Sequence, residues 1–402
     1  MGMTFFSSSY ICFKRSNYMI NVKVINKARG FWINLFDYNF ETIRFHYKSS
    51  ELFEVSSKTR FIINKVINYR VFDFIGLFLR KKVKGSNRSD VYFSYNRFLK
   101  SDKPYFIGLE NPTALVHYSD TRMTTFISKL RLKRCLGDLN LKGVICLSKA
   151  CYTTIGNYYD LPKTLNIYQI YPFVQESDIN EDQISKKSKN NVLECLYVSS
   201  NFELKGGDDI LEAFGELKRY GYTNVHLTII TKLDGLTQKQ QNIIKNNSNI
   251  LSYDFTFSKN ELYEFYKKAN VLLNPTRMDS FSLVTLEAMK NGCTIIGTDI
   301  YAIKEMVEDG VNGFLTEPRY KYWNSENMVD HYIKMHSDKT FNSKYIDENI
   351  IQFLYNKIVF LYNDRKVLEE FSINAFKKST TGEFANKNIA LKWEKIINQI
   401  GV

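Results

Sequence analysis

Residues 271–315, VLLNPTRMDSFSLVTLEAMKNGCTIIGTDIYAIKEMVEDGVNGFL, constrain the fold more than any other part of the chain. The apolar run Val271-Leu272-Leu273 does not alternate with polar residues, so it reads as a strand buried on both faces, the mark of a parallel sheet. Asn274-Pro275-Thr276 leaves that strand as a loop, and residues 281–290 read as a helix closed by Asn291-Gly292. Such strand-to-helix turns are where parallel sheets bind ligands. Two carboxylates, Asp279 and Glu287, stand eight positions apart across the turn. The amino terminus of the helix leaves the N–H groups of Phe281, Ser282 and Leu283 as candidate donors to a phosphate, with Ser280 beside them.

At 402 residues the chain is long enough for two domains of ordinary size. Further strands are expected at residues 22–25, 90–94, 105–109 and 143–147, the last followed by Ser148 as the cap of a helix over residues 149–159. Residues 192–198 read as another strand, and Ser258 with Glu261 forms a capping box ahead of a helix. Six cysteines stand at irregular spacings without a CxxC pair, which suggests reduced thiols. No apolar run approaches the roughly 18 residues a spanning helix needs, and residues 1–10 lack a signal-peptide pattern. A cytoplasmic chain is the expectation.

The motifs as a set resemble the retaining, nucleotide-sugar-dependent glycosyltransferases of the GT-B fold, the large family of group 1 type. The resemblance runs over residues 192–400. It rests on Glu287-Ala288-Met289, Gly292, Ile295-Ile296, Glu305 and Asp309-Gly310-Val311-Asn312-Gly313-Phe314-Leu315, together with Lys205-Gly206-Gly207 and the helix start that follows. The chain departs from the family pattern at four kinds of position. Asp279 stands for a Glu, Ser280 and Ser282 for two glycines, Thr294 for a Pro, and Ser200 for the Arg that accompanies the Lys. Serine at the glycine positions narrows the approach of backbone to a diphosphate.

The resemblance implies an α/β chain of two Rossmann-like parallel-sheet domains facing a central cleft. Residues 1–172 would bind the acceptor, 173–191 form a polar, turn-forming hinge, 192–380 bind the donor, and 381–402 form a helix crossing back. It also implies sugar transfer from a nucleotide-diphosphate-sugar to a glycan or lipid-linked acceptor, with retained configuration, in cell-surface polysaccharide or lipopolysaccharide synthesis. Lys205 then holds the diphosphate, with Arg277 as a substitute for the cation missing at Ser200. Glu287 binds the ribose and Asp279 positions the donor sugar. Glu110, at the end of a strand in the first domain, is the candidate for orienting or deprotonating the acceptor hydroxyl, and His117 is a second candidate. Glu305 reads more simply as a carboxylate at a helix start. No cofactor and no metal are expected, and no D-x-D motif for a metal-bridged nucleotide stands out.

Charge is unevenly placed, with a net of +16 over residues 1–170 and −3 over the remainder. Basic clusters within residues 61–84 and 122–134 accompany apolar and aromatic residues, a pattern that suits either an anionic membrane face or a solvated helix face over core. Nucleic-acid binding has no motif to support it. The altered Asp-Ser-Phe-Ser-Leu loop and Ser200 also leave room for a non-catalytic glycosyltransferase-like subunit, and the architecture for a sugar-nucleotide epimerase.

Overall fold

The computed structural model describes residues 19–25, 30–48, 74–76, 80–83, 88–119 and 122–400. Most of the basic segment 61–84 lies outside the described residues. In the first half the strands are β1 Ile20–Val24, β2 Ile43–His46, β3 Lys81–Lys82, β4 Val91–Tyr95, β5 Leu99–Lys100, β6 Tyr105–Leu109, β7 Leu141–Cys146 and β8 Asn166–Gln169. Six of them form one sheet in the order β2-β1-β4-β6-β7-β8, and β3 pairs with β5 alone. The second half contributes β9 Leu193–Val198, β10 Val225–Thr231, β11 Ile250–Asp254, β12 Val271–Asn274, β13 Thr294–Thr298 and β14 Gly313–Thr316. These form a second six-stranded sheet, β11-β10-β9-β12-β13-β14. Every pairing in both sheets is parallel.

The central strands are buried along their whole length, as continuous apolar runs covered by helices on both faces must be. The chain is thus an α/β protein with two Rossmann-like sheets. In the second sheet the chain first winds outward from β9 through β10 to β11, then returns to β12 on the other side of β9. That reversal opens a crevice at the carboxyl ends of β9 and β12, where doubly wound sheets receive nucleotides.

The two halves share a core. Trp393, on the terminal helix Asn386–Asn398, packs edge-on against Trp32, Phe45 and Phe93 of the first half, with ring centroids 6.1, 5.9 and 5.4 Å away. Glu394 on the same helix accepts from the Thr42 N–H at 2.8 Å. Residues 173–191, read from sequence as a turn-forming hinge, contain a helix at Glu181–Ser188. A capping box between Asn180 and Gln183 starts it, and burial of Ile184 anchors it. Lys290, with no exposed side-chain surface, ties this region together by donating to Glu176 at 2.7 Å and to Asn386 at 3.0 Å.

Candidate active site

The loops leaving β9 and β12 meet because Gly206 permits it. Its φ is +75°, and a Cβ there would lie 2.4 Å from the Pro275 carbonyl oxygen, so any side chain would push the two loops apart. Lys205 is thereby brought over the β12 loop. Its Nζ donates to the Met278 carbonyl at 2.8 Å and pairs with Asp279 at 2.5 Å. The other oxygen of Asp279 accepts from the N–H groups of Phe281 and Ser282, at 3.2 and 2.8 Å. Trp323 Nε1 holds the Asp279 carbonyl at 2.8 Å.

The helix expected from residue 281 therefore begins at Leu283, and the carboxylate of Asp279 fills the turn before it. Two of the three N–H donors assigned to a phosphate are satisfied by Asp279 in this state. Ser282 sits in the left-handed region, φ 65°, a conformation costly for a residue with a Cβ. Its hydroxyl accepts from Asn274 Nδ2 at 2.8 Å, which fixes the turn that a glycine would adopt without strain. Ser280 reaches across the cleft, accepting from Asn111 Nδ2 of the first half at 3.0 Å.

Arg277 does not face the cleft, which corrects the expectation that it stands in for the missing cation. Its guanidinium is 2% exposed and pairs with the fully buried Asp209 at 2.7 Å, while also donating to the carbonyls of Tyr345 and Glu203. Burial dictates this: a guanidinium in the interior must be paired, and Asp209 supplies the partner. Ser200 lies exposed at the end of β9 and brings no charge.

Glu287 projects from the second turn of the helix Leu283–Lys290 and accepts from the Tyr266 hydroxyl at 3.1 Å. Its surroundings raise its pKa to about 7; burial is the largest cause, opposed by the charge of Lys259 and by the Tyr266 hydrogen bond. On the opposite wall, Glu110 directly follows β6. Its two oxygens take the hydroxyls of Tyr95 and Tyr118. His117, the neighbour of Tyr118, is not part of this arrangement. It closes the turn Pro112–Val116 with φ 59° and does not line the cleft. Burial, Arg122 and Arg97 hold its pKa down to about 4, so it is neutral near pH 7. Glu305 caps a helix of the other half, accepting from the N–H groups of Lys149 and Ala150 at 2.8 and 2.7 Å.

Lys205, Asp279, Ser280, Phe281, Ser282, Leu283 and Glu110 line one cleft of about 400 Å³, together with Tyr95, Leu147 and Pro172. Sequence reasoning missed the Tyr95 and Tyr118 frame around Glu110, and it missed Asn111. No spacing marks them, because they come from two separate strand exits, Tyr95 from β4 and Asn111 and Tyr118 from β6. Among the described residues no three His, Cys, Asp or Glu side chains converge as a metal site would require.

Residues 178–353 match the family model described as glycosyl transferases group 1. An uncharacterised 41.2 kDa protein in the cps region of Klebsiella pneumoniae is 24% identical over 204 residues, covering 50% of this chain and 46% of that one. An uncharacterised glycosyltransferase of Methanocaldococcus jannaschii is 24% identical over 292 residues, covering 68% and 76%. The chain thus spans about half the length of the first relative and three quarters of the second. Among solved structures, Anabaena HepE in complex with UDP superposes with a TM-score of 0.59 at 14% identity, covering 95% of this chain and 100% of that one. WaaG, a glycosyltransferase involved in lipopolysaccharide biosynthesis, gives 0.57 at 13%, covering 94% and 99%. At such identities the likeness shows the fold, which is GT-B.

Proposed function

We propose that this chain, whose residues 178–353 match the family model of glycosyl transferases group 1, moves a hexose from a nucleotide-diphosphate-sugar to a glycan or lipid-linked acceptor with retained anomeric configuration. The observation that carries the reading is the convergence of Lys205 and Asp279 at the switch point of the second sheet, across one cleft from Glu110. Departure of a nucleoside diphosphate builds negative charge that positioned donors must stabilise. Lys205 supplies the cation. The N–H groups of Leu283 and Val284, in the first turn of their helix, have no acceptor within it and serve the same charge.

A bound donor rearranges the ion pair of Lys205 and Asp279. The diphosphate draws Lys205, and Asp279 turns toward the sugar hydroxyls, releasing the N–H groups of Phe281 and Ser282. Glu287, once ionised, accepts from the ribose hydroxyls. Glu110 orients the acceptor hydroxyl, which attacks from the face the nucleotide leaves. No metal takes part in this proposal, and turnover is expected to survive EDTA.

The names of relatives support a surface-polysaccharide pathway: the Klebsiella relative belongs to a cps region and WaaG acts in lipopolysaccharide biosynthesis. The proposal extends to a cytoplasmic chain docked on an anionic membrane through the helix Phe126–Leu136. That helix exposes Phe126, Ile127 and Leu130 beside Lys129, Arg131, Lys133 and Arg134. Arg122, although in the same basic run, is buried and takes no part. Among the described residues no helix is long and apolar enough to cross a membrane.

The test is product formation by the purified chain from UDP-, GDP- and ADP-sugars with a panel of glycan acceptors. Donor-dependent product supports the reading. Nucleotide binding without turnover against any acceptor points instead to a non-catalytic subunit, a reading favoured by the inward turn of Arg277 and the uncharged Ser200.

A further inference from the structure

The two carboxylates that line the cleft, Glu110 and Asp279, come from opposite halves, and the residue after each one joins them. Asn111 follows Glu110, Ser280 follows Asp279, and Asn111 Nδ2 donates to Ser280 Oγ at 3.0 Å. An asparagine just ahead of a helical turn ordinarily caps it with its side chain. Asn111 has the extended backbone of such a cap before Pro112–Val116, yet its side chain makes no capping bond. The Thr113 hydroxyl donates to Asn111 Oδ1 at 2.7 Å instead, which leaves Nδ2 as the end of the amide that meets Ser280. Asn111 is only 2% exposed, so an Nδ2 without that acceptor would carry the cost of a buried, unmet donor.

Both ends of this bond are braced. The Glu110 N–H donates to Asn96 Oδ1 at 3.3 Å, and its carboxylate is held by Tyr95 and Tyr118. The Asp279 carboxylate accepts from the N–H groups of Phe281 and Ser282, and its carbonyl accepts from Trp323. A bond between the neighbours of two braced residues fixes the backbones that carry the two carboxylates relative to one another. Ser280 also stands where the related motif has a glycine, which offers no side chain for such a bond.

We propose that Asn111 and Ser280 are positioning residues that form a clasp across the cleft, setting Glu110 against Asp279 so that the sugar passes to the acceptor rather than to water. The proposal rests on the glycosyltransferase reading above. In either outcome the bond from the anomeric carbon to the diphosphate oxygen breaks, and its electron pair leaves on the nucleoside diphosphate. A new bond forms to the oxygen of the acceptor hydroxyl or of water, and one proton from that oxygen goes to solvent. Transfer requires Glu110 and its acceptor in register with the donor, whereas water needs only access to an imperfectly closed site. Loss of the clasp therefore lowers transfer more than hydrolysis.

The experiment measures nucleoside diphosphate release from UDP-glucose, GDP-mannose and ADP-glucose, with and without a panel of glycan acceptors. The proteins are wild type, Asn111→Ala, Ser280→Ala, their double variant, Ser280→Thr and Glu394→Ala. Each single alanine variant at the clasp is expected to lower the ratio of transfer to hydrolysis about three- to tenfold, the worth of one neutral hydrogen bond. Because it is a ratio, it does not depend on how much of a variant is folded. The double variant should lose no more than either single one, since both remove the same bond. Ser280→Thr, which keeps the hydroxyl, should retain most of the wild-type ratio. Glu394→Ala loosens a contact between the halves outside the cleft and should leave the ratio as in wild type. Losses that add in the double variant, an unchanged ratio in either alanine variant at the clasp, or an equal fall in Glu394→Ala would overturn the clasp alone. A wild-type chain that releases nucleotide from none of these donors would overturn the glycosyltransferase reading, and the clasp with it.

Discussion

The two halves are built alike and equipped differently. Each is a six-stranded parallel sheet, and each presents its polar groups at the carboxyl ends of central strands. In the second half those groups are charged: Asp279 and Glu287 come from a single strand-loop-helix, and Lys205 from the adjoining strand exit. In the first half Glu110 is framed by Tyr95 and Tyr118, and Asn111 reaches over to Ser280. Among the described residues of that half, a basic cluster lies outside the cleft, on the helix Phe126–Leu136. In the proposed reaction the diphosphate meets Lys205, and the acceptor hydroxyl meets one carboxylate held between two phenols.

The largest effect that sharpens this contrast is expected in the second half. Lys205→Met should lower kcat/KM by about 10²–10³, the cost of removing one group aimed at developing charge, with little change in melting temperature. Steady-state kinetics beside a thermal melt checks both. Arg277→Met should do the reverse. It strands Asp209, fully buried, and costs about 3–5 kcal/mol of stability. Nucleotide affinity of the remaining folded protein should be unchanged, which urea unfolding and calorimetry separate.

Glu287 makes the second half sensitive to pH. Its folded pKa of about 7 lies above the ordinary 4.5, so between those values the folded chain keeps a proton that the unfolded chain has released. Stability from this group is therefore present at low pH and declines as pH rises through about 7. If ribose hydroxyls donate to the ionised carboxylate, as proposed, nucleotide affinity should rise between pH 6 and 8, by roughly tenfold at most for one proton. Near pH 7 binding should release protons, measurable as a dependence of calorimetric heat on buffer. Glu287→Gln should abolish both trends.

A smaller change is expected in the first half. Glu110→Gln should raise the KM for acceptor and lower kcat about 10²-fold, while the affinity for nucleotide stays as in wild type. Equal damage to donor binding would erase the division of labour between the halves. Tyr118→Phe, on the exposed side of Glu110, should give a milder change of the same kind in acceptor kinetics.

Much of the second half was legible because its signals are local. The apolar run at β12, the capping box at Ser258 and the Asn291-Gly292 stop each lie within a few residues of what they determine. What escaped were pairings over long separations. Arg277 looks like a free loop cation until Asp209, 68 positions away, takes it inward. Asp279 looks like a free carboxylate until it folds back on the N–H groups of Phe281 and Ser282. The first half escaped more broadly: β2 and β8 give short, half-exposed runs, and the phenols around Glu110 share no spacing. His117 drew attention by proximity in sequence, whereas the next side chain, Tyr118, points to the carboxylate.

A donor site at the switch point requires that the crevice between β9 and β12 bind a nucleoside diphosphate. Titration of UDP, GDP and ADP into the wild-type chain and Glu287→Ala decides it. One nucleotide binding tightly to wild type, and weakened tenfold or more in the variant, about the loss of a charged hydrogen-bond partner, is the predicted result. No binding at millimolar concentration, or equal binding to both proteins, would contradict it.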